Sequence, residues 1–147
     1  DQLFENSKRL QDMFDYPIAI EGHYPFGNNK YLLNSWSEYE AMFNAGINYA
    51  LDLSHLNIVA HREGWQFDLI KEMLASSQCK EIHISFNEGK MDNHLIATNK
   101  QQELWNLFKS MIEQSSPSAD IFSEGNQVLH LRKQKSNGPL QEITYMN

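Results

Sequence analysis

Tyr49-Ala50-Leu51-Asp52 is a short apolar run that ends on a carboxylate, and the reading of this pattern decides the fold. A run of this length, bounded by turn-forming residues, reads as a buried strand with a polar group at its carboxyl end. Upstream by 31 positions, Ile18-Ala19-Ile20 ends the same way on Glu21; downstream by 31, Ile82 leads into His83. A fourth run, Ile121-Phe122, delivers Glu124 after an interval of 41. Amphipathic stretches lie between these runs. Trp36, Tyr39, Met42 and Phe43 form one helical stripe, opened by Ser35 or Ser37 and closed by Gly46. Phe67, Ile70, Met73 and Leu74 form another over 66–76, and Leu104, Leu107, Phe108 and Met111 a third over 100–114. A leading helix spans 2–14, and the segment through His61 and Gly64 reads as a loop.

Short strands alternating with helices are the mark of parallel βα units, and a period near 31 residues suits one such unit. We therefore expect an α/β chain with strands near 17–21, 48–52, 80–85 and 119–124. In a parallel barrel the chemistry gathers at the carboxyl ends of the strands. Glu21, Asp52, His83 and Glu124 would then converge on one mouth. Carboxylates at that density need a cation or shared protons, and an oxygen-and-nitrogen set of this kind suits Mn, Fe or Zn.

Composition narrows the class. Of 147 residues 41% are apolar, and 12 basic against 19 acidic side chains leave a net charge of −7. That excess of acid disfavours non-specific contact with nucleic acid or an anionic membrane. No apolar run approaches the length of a spanning helix, and no signal peptide is visible. The single cysteine, Cys79, excludes an internal disulfide framework and a cysteine-rich zinc site. The expected compartment is the cytoplasm. A closed (β/α)8 barrel needs about 250 residues, so four units correspond to half of one, over residues 1–128, with 129–147 as a tail or accessory element. The opening DQLFENSKRL, without an initiator methionine, fits a processed chain or part of a longer one. The other half is expected from a removed segment, another chain or a second copy of this one.

Further polar residues surround the strand ends. His55 follows Asp52 by three positions, and Asp92 and His94 stand two apart in the loop after the His83 strand. These three could bind another metal, orient the ligands of the first, or contact substrate. His23 and His61 fall in expected loops from which each could reach the mouth and bind substrate, Lys90 is a candidate contact for a phosphate or carboxylate, and Asn57 could donate to a substrate hydroxyl or simply organise its own segment. Tyr24 and Phe26 are candidates for an aromatic wall.

The segments ALDLSHLNI (50–58) and EIHISFNEGKMDNHL (81–95) resemble the xylose-isomerase-like TIM-barrel superfamily. The similarity covers roughly residues 15–125 and rests on an ordered set: Glu21, Asp52 with His55, His83, Asp92 with His94, and Glu124. The superfamily contains sugar-phosphate isomerases and epimerases, type IV apurinic endonucleases and multinuclear-iron enzymes that modify peptides. The resemblance implies the C-terminal half of a TIM barrel, with a central metal site on Glu21, Asp52, His83 and Glu124. In isomerase members two such glutamates move a proton beside a metal-polarised carbonyl, so Glu21 and Glu124 are the implied acid and base. The endonuclease and iron-enzyme members use equivalents of His55, Asp92 and His94 as additional ligands. The leading expectation is a metal-dependent isomerase or epimerase acting on a sugar or sugar phosphate. The alternatives are a multinuclear phosphodiesterase or iron oxygenase, and a non-catalytic barrel fragment.

Overall fold

A computed structural model describes residues 2–27, 32–96 and 98–125. His130 and the 129–147 segment lie outside the described residues, as does Lys30. The chain is α/β. In order it forms α1 (Gln2–Met13), β1 (Ile20–Glu21), α2 (Trp36–Asn44), β2 (Tyr49–Asp52), α3 (Leu53–Glu63), α4 (Phe67–Ala75), β3 (Cys79–Ile84), α5 (Gln102–Glu113) and β4 (Asp120–Ser123). The strands make one sheet in the order β1-β2-β3-β4, with every neighbouring pair parallel. Among the described residues no helix is long and apolar enough to cross a membrane.

Register partners on a pleated sheet share a face, and alternate residues along a strand point to opposite faces. Leu51, Ile82 and Ile121 therefore form one row across the sheet, and all three are buried. That row packs into a core with Ile70, Met73, Leu74 and Phe108 from the helices. Tyr49, two residues before Leu51 on the same face, donates its hydroxyl to the Met73 carbonyl at 2.7 Å and so ties the end of α4 to β2. The opposite face carries Ala50, Asp52, Glu81, His83 and Phe122, with Asp52 beside His83 and His83 beside Phe122. Phe122 is 41% exposed, so this polar face is open towards β4.

Two expectations are corrected. Residues 53–63 form a helix and not a loop. Leu53 to Ala60 are all buried, so the segment lacks the polar stripe that makes an amphipathic helix recognisable. Its start is set by Asp52, which accepts backbone N–H bonds from Ser54 and His55. His61 consequently lies in the last turn of α3. The first strand is also shorter than expected, because only Ile20 and Glu21 pair with β2.

Gly22 makes a close approach on which the loop after β1 depends. A Cβ at this position would overlap the ring of Tyr39, which is fully buried and donates its hydroxyl to the His23 carbonyl at 2.8 Å. We expect Gly22→Ala to destabilise the fold by about 1–3 kcal/mol through overpacking. Chemical denaturation of the two proteins checks this; equal midpoints would show that Tyr39 has room to move.

Candidate metal centre

Asp52 stands at the middle of the site, wholly buried, and its two oxygens have separate tasks. Oδ1 accepts from the Ser54 amide at 2.7 Å and the His55 amide at 3.3 Å, which caps α3. Oδ2 is buried with no hydrogen-bond partner. Asp92 also divides its oxygens. Its Oδ1 accepts from the hydroxyls of Ser54 and Ser85 and from the His94 amide, but its Oδ2, unlike that of Asp52, is engaged: it hydrogen-bonds His55 Nε2 at 3.3 Å and lies 3.1 Å from His94 Nε2.

Around Asp52 six side chains close a ring of alternating acids and imidazoles. Glu21 Oε1 lies 3.6 Å from His55 Nδ1, and His55 reaches Asp92, which reaches His94. His94 Nδ1 lies 3.7 Å from Glu124 Oε2, Glu124 Oε1 3.2 Å from His83 Nδ1, and His83 Nδ1 3.6 Å from Glu21 Oε1. The members come from the ends of β1, β3 and β4, from the first turn of α3 and from the loop after β3. A two-way hydrogen-bonded bridge between Phe86 and Leu95, 2.9 Å in each direction, pinches that loop shut. His94 within it takes a left-handed backbone, with φ of 47°.

Charge and valence both point to a cation. With the three imidazoles neutral, as metal ligation requires, the four carboxylates of the set leave a local excess of four negative charges that a cation would balance; without one, protonated rings offset part of it. Two groups of donor atoms lie within 4.8 Å of one another, Glu21–Asp52–His55 and Asp52–His83–Glu124, and Asp52 belongs to both. Ligands each about 2.1 Å from one ion stand about 3.0–3.4 Å apart, close to the 3.2–3.6 Å contacts within these two groups, between His83 and Glu124 and between His55 and Glu21. Among the described residues Asp52 Oδ2, His83 Nδ1 and His94 Nδ1 are buried donor atoms with no hydrogen-bond partner. These acidic and histidine groups are positioned to hold a metal ion. His55 has the arrangement a ligand needs: Nδ1 donates to the Gly22 carbonyl at 2.9 Å, leaving Nε2 to face Asp52 and Asp92.

The metal-free electrostatics follow from these contacts. The Glu21 carboxylate, an ion-pair contact at 3.6 Å and too long for a hydrogen bond, does most to raise the His83 pKa to about 9; burial opposes it, and Glu81 and Glu124 add to the rise. The His83 ring in turn lowers the Glu21 pKa. Burial raises Asp52, against the pull of His55 and the Ser54 bonds. Burial works against the charged form of His55, but Asp52, the Gly22 carbonyl, Glu21 and Asp92 together outweigh it and raise its pKa. Burial lifts the Cys79 thiol to about 12, so it stays protonated and outside this chemistry.

The structure thus brings together Glu21, Asp52, His55, His83, Asp92, His94 and Glu124. His23 joins them at one remove, its ring stacked on His55 at 5.3 Å and on Tyr24 at 4.6 Å. Tyr24 also lies 4.9 Å from His55 and packs edge-on with Phe26. Asn57 is not brought to the mouth. It is buried in α3 and donates to Asn87, which in turn bonds the Ser54 carbonyl and the Gly89 amide. His61 covers Gly89, where a Cβ would overlap its ring, and Lys90 is exposed on the bend that follows. Residues missed by sequence reasoning are Ser54 and Ser85, which hold Asp92, and Glu81, whose Oε2 bonds His83 Nε2 at 3.1 Å. A Glu-x-His pair on one strand was the available signal for Glu81, since strand residues two apart share a face.

Comparison with family models, curated proteins and solved structures finds no match for this chain.

A raised histidine pKa stabilises the fold fully below the unfolded value of 6.5 and ceases to do so as pH rises through about 9. The metal-free chain should therefore lose stability across that window, on the order of 1–2 kcal/mol once screening of the half-exposed partners is allowed for. His83→Gln should flatten the profile. A wild-type curve already flat from pH 6.5 to 9 rejects this electrostatic assignment.

Proposed function

We propose that this chain carries the multinuclear metal centre of a TIM-barrel-type enzyme, and that its reaction is iron-dependent oxidation of a peptide substrate. One observation carries the reading: His55, Asp92 and His94 close a single ring with Glu21, His83 and Glu124 around Asp52. A one-metal sugar isomerase needs only the central four, with the other three left to orient them or contact substrate; their closure into one ring with the four favours further ions. Asp52 shared between two donor groups supports more than one ion. A donor set of carboxylates and imidazoles, with the cysteine buried and protonated, suits non-haem iron, with manganese or zinc as competitors.

When bound, iron supplies electrons for chemistry with dioxygen. The chain's own residues hold and orient it: the α3 cap aims Asp52 Oδ2, the two serines aim Asp92 Oδ2, and the Gly22 carbonyl sets the His55 ring. The net charge of −7 and the acidic mouth weigh against a polyanionic substrate. Exposed apolar side chains on the bordering loops, Phe26 after β1 and Met91 and Ile96 after β3, suit peptide side chains better than a sugar.

The half-barrel belongs to the same proposal. Sequential parallel order, two strand edges and a polar face open towards β4 are what strands five to eight would show beside a complementary half. That half would come from another segment, another chain or a second copy.

A second reading has one observation in its favour. Glu21 and Glu124 both approach His83 Nδ1, so both stand at the centre where a sugar isomerase would place its acid and base.

Metal analysis after anaerobic loading with Fe(II) separates the readings. More than one ion per chain is expected, with Asp92→Ala or His94→Ala losing about one and retaining the rest. Peptide-dependent oxygen uptake should follow loading. A single ion retained in both variants, with solvent proton exchange into a sugar phosphate that Glu124→Gln abolishes, would establish the isomerase reading instead.

A further inference from the structure

The geometry points to Glu81 as the positioning residue for the ligand His83, a role that rests on the metal centre proposed above. His83 has two ring nitrogens in opposite circumstances. Nδ1 is buried without a hydrogen-bond partner and faces Glu124 at 3.2 Å and Glu21 at 3.6 Å. Nε2 is held by Glu81 Oε2 at 3.1 Å. A neutral imidazole carries one proton, and the nitrogen that keeps it is decided by the bond the other side makes. A carboxylate accepting from Nε2–H leaves the lone pair on Nδ1, the atom aimed into the ring of ligands. Phe122, its register partner on β4, meets the imidazole edge-on at 5.9 Å and 86°, which fixes the ring plane from the other side.

The strand places Glu81 for this task. It precedes His83 by two residues on β3, so both side chains leave the same face, and its carboxylate needs only to lean along the strand. Its side chain is 44% exposed, so core packing does not account for it. A histidine ligand backed by a carboxylate is held in one tautomer and made a better donor, and loss of such a partner typically lowers metal affinity 10–100-fold.

The test compares Co(II) affinity and visible spectrum, by titration, for wild type, Glu81→Ala, Glu81→Gln and Asp120→Ala. Asp120 is the β4 register partner of Glu81, an exposed carboxylate on the same face. Nitrogen-15 NMR of the metal-free proteins near pH 10 reads the His83 tautomer directly. We expect Glu81→Ala to bind Co(II) 10–100-fold more weakly, with an altered spectrum and a mixed His83 tautomer. Glu81→Gln, whose amide oxygen can still accept, should recover the tautomer and part of the affinity, and Asp120→Ala should match wild type. Wild-type affinity and tautomer in Glu81→Ala would overturn the role, as would an equal loss in Asp120→Ala, which would mark a general charge effect. A wild-type chain that takes up no metal would instead overturn the metal centre, and this role with it.

Discussion

Everything in this molecule turns on one buried carboxylate. Asp52 has no contact with solvent, and a carboxylate in that position is costly unless its oxygens are engaged. One oxygen is engaged by the first turn of α3, where unpaired backbone N–H groups and the helix dipole both favour negative charge. The other is left over. The fold thereby holds an unsatisfied acceptor among three imidazoles and three further carboxylates. The remaining architecture, four parallel strands bringing their ends together, supplies those neighbours.

The same division recurs at Asp92, at His55 and at His83. In each, one polar atom is committed to the protein and the other is presented to the centre. Asp92 commits Oδ1 to two serine hydroxyls and an amide, and His55 commits Nδ1 to a carbonyl. Orientation therefore comes from backbone and small hydroxyl groups at Asp52, Asp92 and His55, and from the Glu81 carboxylate at His83. This is why residues without chemistry of their own, Gly22, Ser54 and Ser85, matter to the geometry of the site as much as its ligands.

Much of this was legible in the sequence, and the part that was not has a physical reason. The polar residue at the end of each apolar run marked the strand ends, because strands with one face packed into the core tolerate polar groups chiefly on the other face and where they emerge. The pairing of Asp52 with His55 and of Asp92 with His94 was also visible as spacing. Helix α3 was not, since a helix buried on every side loses the periodic stripe, and LSHLNIVA carries small and polar residues that read as a loop. Of the two readings of Asn57, a substrate contact or a residue that organises its own segment, its bond to Asn87 inside the core matches the second. Ser54, Ser85 and Glu81 act through other residues, and such roles leave little trace until the partners are placed.

The strand order has a consequence for how the site comes into being. Its members run from Glu21 to Glu124, and each successive strand with the segment after it adds between one and three of them. No short segment contains the set, unlike a zinc finger, whose ligands lie close in sequence and draw the chain together early. Here loop-closure entropy must be met strand by strand before the donors share one space. A cation bound there would therefore meet its full set of donors only after the sheet had formed, and would seal a finished fold without nucleating it.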